Sequence, residues 1–265
     1  MYSAFALGLK YIGYRLTAQN GRGHGIHSPF VFEFVTQVLN SPAAYYCYAP
    51  VEAARQSYRQ NSQTITVEDF GAGSRSGASR QRSISSIATT ALKPKKYGQL
   101  LFRIANYYRC RHIMELGTSL GITTSYLALA SPHAKVLTIE GAPEVAALAQ
   151  AHFKHLGLQN VAQIVGNFND TLPTALQQMP HPDLVYIDGN HRCQPTLHYF
   201  HTLLPTVQDH TILVFDDIHW SKEMETAWAT IKSHPEVTLT IDLFFIGLVF
   251  FSHNFKAKQH FTIQF

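Results

Sequence analysis

The chain has 265 residues, 46% of them hydrophobic and 14% charged, with 21 Lys and Arg against 17 Asp and Glu for a net charge of +4. This balance excludes a disordered chain and leaves a globule with a substantial core, either one large domain or a core with an appendage. Three cysteines without metal-type spacing (Cys47, Cys110, Cys193) argue against a disulfide framework, and with no basic leader and no run of ~20 apolar residues the expectation is a cytoplasmic, non-membrane protein.

The first ~110 residues give weak signals. His24-Gly-Ile-His-Ser-Pro-Phe30 has a His-x-x-His pair but reads best as a turn before a helix at Val31–Leu39. Residues 40–63 are mixed. Val67-Glu-Asp-Phe-Gly-Ala-Gly-Ser74 looks like a strand entering a Gly-rich turn, yet Arg75–Arg82 has no apolar helical face, so residues 68–86 read as a loop. Tyr97–Tyr108 reads as a helix with Leu100, Leu101, Ile104 and Tyr108 on one face. No second core and no repeat is evident. The expected division is a helical cap over residues 1–96 and a core over 97–265.

From His112 the pattern alternates. Strands are expected near Ile113–Glu115, at Lys135–Glu140, Val161–Val165, Leu184–Asp188 and Thr211–Phe215. Between them fall helices through Tyr126–Ala130, over Pro143–Leu156 with Gly157 as a stop, over Thr196–Leu204, and from a Ser221 cap to about Lys232. Such alternation gives a parallel sheet with right-handed crossovers. Val237–Leu243 and Ile246–Phe251 should form an antiparallel hairpin, and Phe261–Phe265 is a candidate last edge strand.

Four stretches place Gly or carboxylates where buried strands surface, the ligand-binding edge of an open α/β sheet. They are Glu115–Gly121, Thr138–Gly141, Tyr186–His191 and Val214–Trp220. Gly117 permits a tight turn and Gly121 lets a helix start close to a ligand. The spacing is not Gly-x-Gly-x-x-Gly, so a nicotinamide-dependent oxidoreductase loses its fingerprint. Glu140 follows Glu115 by 140 − 115 = 25 residues, and a carboxylate there can accept both hydroxyls of a ribose.

These residues resemble the class I S-adenosylmethionine-dependent methyltransferases, most closely the catechol-O-methyltransferase-like small-molecule O-methyltransferases, over about Tyr97 to Phe251. The resemblance implies a Rossmann-like, doubly wound α/β fold with a seven-stranded, mostly parallel sheet and one antiparallel strand, plus the N-terminal helical cap. It implies S-adenosylmethionine as cofactor. Glu115, Gly117 and Thr118 would face the methionine part, Glu140 would hold the ribose, and Asn167 and Phe168 would line the adenine. Ser119, Gly121, Gly141 and Asp188 complete the cofactor-binding set.

Asp188, Asp216 and Asp217 form a carboxylate trio that would repel without a cation between them. By resemblance the place suits Mg²⁺ or another divalent cation, although Asp217 stands where the family has Asn. The alternative is that Asp216 or Asp217 caps the next helix while Asp188 contacts the cofactor amine. His191 stands at the family's catalytic Lys position, and His titrates in the range needed to deprotonate a hydroxyl. Catalytic roles are expected for His191, Asp188 and His219. Trp220 is a candidate pocket wall, whereas Met224 and Trp228 have core spacing.

The acceptor is expected to be a small hydroxylated molecule. Residues 70–114 carry nine Lys or Arg and no acid, which suits an anionic acceptor, a nucleic acid or plain solvent exposure. A nucleic-acid-binding protein or RNA methyltransferase on the same core is the second reading, weakened by few interleaved aromatics and by the lack of a Pro-Pro-aromatic turn after Asp188. A homodimer is left open.

Overall fold

The structure is a computed structural model and describes residues 1–68 and 79–265. The Gly-rich turn read at residues 69–78, with Arg75, lies outside the described residues. In chain order the elements begin with α1 (Ala4–Thr17), α2 (Pro29–Glu33, continued by a π-turn over Phe34–Leu39), α3 (Tyr48–Gln60), β1 (Thr64–Glu68), β2 (Ser79–Ser83), α4 (Ile84–Thr90) and α5 (Lys95–Tyr107). Then follow β3 (His112–Leu116), α6 (Ile122–Leu129), β4 (Lys135–Glu140), α7 (Pro143–His155), β5 (Val161–Val165), α8 (Phe168–Gln178) and β6 (Leu184–Ile187). The last are α9 (Cys193–Leu203), β7 (Ile212–Asp216), α10 (Lys222–Ser233), β8 (Leu239–Asp242), β9 (Ile246–Phe250) and β10 (Gln259–Thr262).

The chain forms two compact units. One is contiguous, Pro42–Pro180. Its strands run in the order β3-β4-β5, all parallel, with Ile113 opposite Val136 and Leu137 opposite Ala162. β4 buries Val136, Leu137, Thr138 and Ile139 in succession, the continuous burial of a strand covered on both faces. α5 buries Leu100, Leu101 and Ile104, as its periodicity predicts. The stretch from Ser79 departs from the loop expected there. Ser79–Ser83 pairs antiparallel with Thr64–Glu68, and α4 follows at once, capped by Ser83. The reason is apolar: Ile65, Ile84, Ile87 and Ala88 bury against Leu120, Ala142 and Val145.

The other unit joins Met1–Ser41 to His181–Phe265. Its strands run β10-β8-β9-β7-β6. β6 and β7 are parallel and fully buried, whereas β9 runs antiparallel to both β7 and β8. β8 and β9 are the expected hairpin. The seven strands foreseen are β3 to β9, and β10 adds an edge strand parallel to β8. Ser221 caps α10 by accepting the Met224 N–H, so neither Asp216 nor Asp217 fills that role. Met224 and Trp228 are core, and Trp228 occupies the room left by Gly247, where a Cβ would lie 2.6 Å from its ring. α1 packs Tyr11 and Tyr14 on Phe244. Among the described residues no helix is long and apolar enough to cross a membrane.

Candidate active site

In the contiguous unit the end of β3 turns sharply into α6. Gly117, Ser119 and Gly121 all have positive φ, at 108°, 48° and 77°. Three left-handed residues in five make a tight loop that only glycine adopts without strain at two of them. Gly117 and Thr118 both donate N–H to the Ile139 carbonyl, at 2.9 and 3.2 Å, so the loop is tied to the end of β4. The Thr118 and Thr138 hydroxyls meet at 2.6 Å.

Glu140 closes that loop. One oxygen accepts the Ser119 N–H at 2.8 Å and the other the Ala142 N–H at 2.9 Å. Burial raises its pKa, while the N–H groups of Ala142, Ser119 and Gly141 pull the other way. Each oxygen has a further lone pair for a ligand hydroxyl.

Glu115 is the deeper acid. It is fully buried, and Oε2 accepts from Thr124 Oγ1 at 2.5 Å and Thr138 Oγ1 at 2.7 Å. Burial pushes its pKa up to about 8, beyond what the two hydroxyls recover, and Glu140 adds to the rise. The side chain is therefore a neutral acid at pH 7. Thr124 and Thr138 were not singled out in the sequence. Thr138 was recoverable, because it stands two residues before Glu140 on β4 and so shares its face.

The space Gly121 leaves is taken by the protein itself. A Cβ there would lie 2.6 Å from Phe153 Cε1, so this glycine admits α7. Gly141 is half-buried, and its backbone N–H is among the groups that hold down the Glu140 pKa. Asn167 caps α8 by accepting the Asn169 N–H at 2.9 Å, and Phe168 opens the helix, half-buried. His152, on the apolar face of α7, is a core residue with its Nε2 3.1 Å from Ser125 Oγ, and burial lowers its pKa to about 4.

In the other unit, β6 and β7 run in register, with Ile187 opposite Phe215. Asp188 and Asp216 follow as neighbours at the carboxyl ends. His191 Nε2 lies 3.6 Å from Asp188 Oδ1, and Asp188 Oδ2 accepts the Tyr186 hydroxyl at 3.0 Å. Donor atoms of Asp188, His191 and Asp216 all lie within 4.8 Å of one another, with Asp216 only 1% exposed. That donor set, two carboxylates and one imidazole, fits a divalent cation. Asp217, expected in the trio, is not in this group. Its φ is +52° and its N–H donates to the Phe245 carbonyl at 2.6 Å. His191 brings the third donor instead. Tyr186 was legible in principle, two residues before Asp188 on one strand face.

His219 stands apart from that cluster in its bonding. Nδ1 meets Glu225 Oε1 at 3.2 Å, Nε2 meets Asp242 Oδ2 at 2.8 Å, and the ring stacks on Phe244. Burial alone would lower its pKa, but the bonds and charges of Asp242 and Glu225 outweigh that and raise it. Glu225 also receives Tyr2 and Lys10, and Asp242 receives the Trp228 indole. With both ring nitrogens on carboxylates, His219 links α10, β8 and α1. Trp220 is half-buried, its N–H on the Asp217 carbonyl. His24 and His27 are both exposed and belong to no metal-type group among the described residues.

Residues 114–218 match a family model described as a methyltransferase domain. The chain is 32% identical over 124 residues to a catechol O-methyltransferase of Niastella koreensis, covering 46% of this chain and 55% of that protein. It is 33% identical over 129 residues to one of Mycobacterium tuberculosis, covering 48% and 56%. The chain thus spans about half the length of the curated relatives it matches. Among solved structures, the Streptomyces achromogenes O-methyltransferase TomG in complex with SAM superposes with a TM-score of 0.56 at 18% identity, covering 84% of this chain and 95% of that one. A Bacillus cereus O-methyltransferase in complex with SAH gives 0.54 at 18% identity, covering 83% and 97%. These likenesses show the Rossmann-like fold, and the domain match and relatives agree with the resemblance read from the four stretches.

Proposed function

We propose that the protein transfers a methyl group from S-adenosylmethionine to a hydroxyl oxygen of a small molecule. The observation that carries the reading is the glycine turn clamped by Glu140 at the end of the next strand, which leaves that acid with lone pairs for two ribose hydroxyls. The neutral Glu115 beneath the turn holds its shape through Thr124 and Thr138. Asn167 and Phe168 are assigned to the adenine side.

An S_N2 methyl transfer needs an oxygen lone pair aligned with the sulfonium methyl, and a phenol of pKa ~10 keeps its proton at pH 7. The imidazole of His191 is the base. The proton it accepts is balanced by Asp188 at 3.6 Å, and Tyr186 holds the other oxygen of that carboxylate. As an alternative to that role, Asp188, His191 and Asp216 would hold a divalent cation; with its lone pair on the ion His191 would no longer be the base, and the cation's Lewis acidity would lower the pKa of the hydroxyl instead. An imidazole in the set favours Zn²⁺, Fe²⁺ or Ni²⁺ over Mg²⁺, which prefers oxygen donors. An anionic acceptor suits the acid-free basic run, although Arg103 in it is buried. A cytoplasmic location is proposed from the free cysteines.

The test is calorimetry with S-adenosylhomocysteine on wild type and Glu140→Ala. Wild type should bind, and the variant should lose at least ~30-fold in affinity, the worth of one or two charge-assisted hydrogen bonds. No binding to wild type, or equal binding to both, overturns the cofactor assignment.

A further inference from the structure

One face of α1 fixes it to its own unit. Tyr11 and Tyr14 pack on Phe244 with ring centroids at 5.1 and 5.2 Å, the Tyr14 hydroxyl donates to the Ile263 carbonyl, and Lys10 reaches Glu225 at 2.9 Å. The opposite face carries Phe5, Leu9, Ile12 and Leu16, exposed by 77, 55, 56 and 80%. Their steps of four, three and four residues are those of a coiled-coil seam. Gly8 and Gly13 flank the row, and a Cβ built on either meets nothing within 4 Å. Glycine is the poorest helix former after proline, so two of them inside an exposed helix are costly unless another backbone must come close.

The row also reads the same from both ends. Inversion about the midpoint between Lys10 and Tyr11 carries Phe5 onto Leu16, Gly8 onto Gly13 and Leu9 onto Ile12. A two-fold axis through that midpoint would lay α1 antiparallel on its own copy, apolar against apolar, with Gly8 of one copy level with Gly13 of the other on opposite flanks of the seam. An isologous interface demands this self-complementarity. A lipid surface does not, and membrane-surface helices carry a row of free Lys and Arg, whereas Lys10 here is engaged by Glu225 and Arg15 is the only other basic residue in the helix.

We propose that α1 is the seam of a homodimer, paired antiparallel with α1 of a second copy of this chain. The exposed row presents roughly 500 Å² per copy, so a pair buries on the order of 1,000 Å², near the lower bound for a specific interface. The inference is independent of the methyl-transfer reading.

Light scattering and sedimentation equilibrium of the full chain from ~1 to 100 µM test it. Wild type should approach twice its 29.7 kDa mass. Leu9→Glu with Ile12→Glu should be monomeric, with the dissociation constant raised at least ~100-fold and a melt equal to that of wild type at concentrations where both are monomers, because both side chains already face solvent in the monomer. Gly13→Leu, which leaves the apolar row intact, should weaken the dimer ~10-fold by holding the helices apart. On oxidation, Leu9→Cys combined with Ile12→Cys should give covalent dimers far more readily than either single variant, since the register opposes 9 to 12. A monomeric wild type at 100 µM overturns the proposal. So does a dimer that survives the double Glu variant, or Leu9→Cys cross-linking alone as readily as the pair. Flotation of monomer with anionic phospholipid vesicles would assign the face to lipid and overturn it equally.

Discussion

Glu115→Gln isolates the cost of a buried acid beneath the glycine turn. In the folded chain the carboxyl pKa is pushed up to about 8 by burial, against an ordinary 4.5. Between those values the folded state holds a proton that the unfolded state has released, so stability falls as pH rises, by up to ~1.4 kcal/mol per unit. From pH 5 to 8 the residue removes about 4 kcal/mol at most, a large share of the ~5–15 kcal/mol that holds a typical domain together. Gln cannot titrate, so the variant loses that slope. Its amide oxygen still serves the Thr124 and Thr138 hydroxyls, but its NH₂ takes the place of Glu115 Oε1, which has no hydrogen-bond partner among the described residues. At pH 5 the protonated carboxyl already carries an unmatched O–H at that oxygen, so exchanging it for NH₂ changes little there. The variant should therefore lie close to wild type at pH 5 and be clearly the more stable of the two by pH 8. Urea denaturation at half-unit steps from pH 5 to 9 measures both slopes. Parallel curves would refute the reasoning, since Glu115 would then be charged in the folded chain at neutral pH.

Gly121→Ala should cost about 2–4 kcal/mol in urea midpoints, from a Cβ 2.6 Å from Phe153 and from φ at +77°. Adding Phe153→Leu should return part of that loss, and no return would deny the clash. His219 has a raised pKa, so its stabilisation is complete below about pH 6.5 and is lost as pH climbs through the higher folded value. His219→Gln should accordingly cost about 1–3 kcal/mol at pH 6 and clearly less at pH 9 in thermal melts; a pH-independent loss would deny the ion pairs. His191→Asn should weaken Zn²⁺ binding ~10–100-fold by calorimetry while Mg²⁺ changes less, and equal effects on both ions would remove the imidazole from the donor set.

Much of the sheet was legible because buried parallel strands are unbroken apolar runs. Lys135–Glu140 and Val161–Val165 match their expected limits, and the hairpin at 239–250 follows from two β-rich runs with a minimal turn. α8 escaped notice because Pro173 sits inside it and its early residues read as a ligand loop. α1 carries apolar residues on two faces and two interior glycines, which blur a single-face period. β2 and α4 depend on Ile65 meeting Leu120 and Val145, a contact between segments distant in sequence. In the site, the residues that end strands were legible, since a strand end leaves one place for a carboxylate. The hydroxyl partners Thr138 and Tyr186 lie on strand faces and follow from period two, whereas Thr124 comes from α6 and does not. The bonding of His219 to Asp242 and Glu225 joins α10 to β8 and has no local signature.

The division of the chain also sets an order of events during synthesis. Pro42–Pro180 is uninterrupted and leaves the ribosome complete, but Met1–Ser41 belongs to a unit that is finished only when His181–Phe265 has been made. Lys10 awaits Glu225, and Tyr14 awaits Ile263. At ~5–20 residues per second that interval is roughly 10 to 50 seconds, with both greasy sides of the first helix bare. Holdase chaperones should find the nascent chain there first.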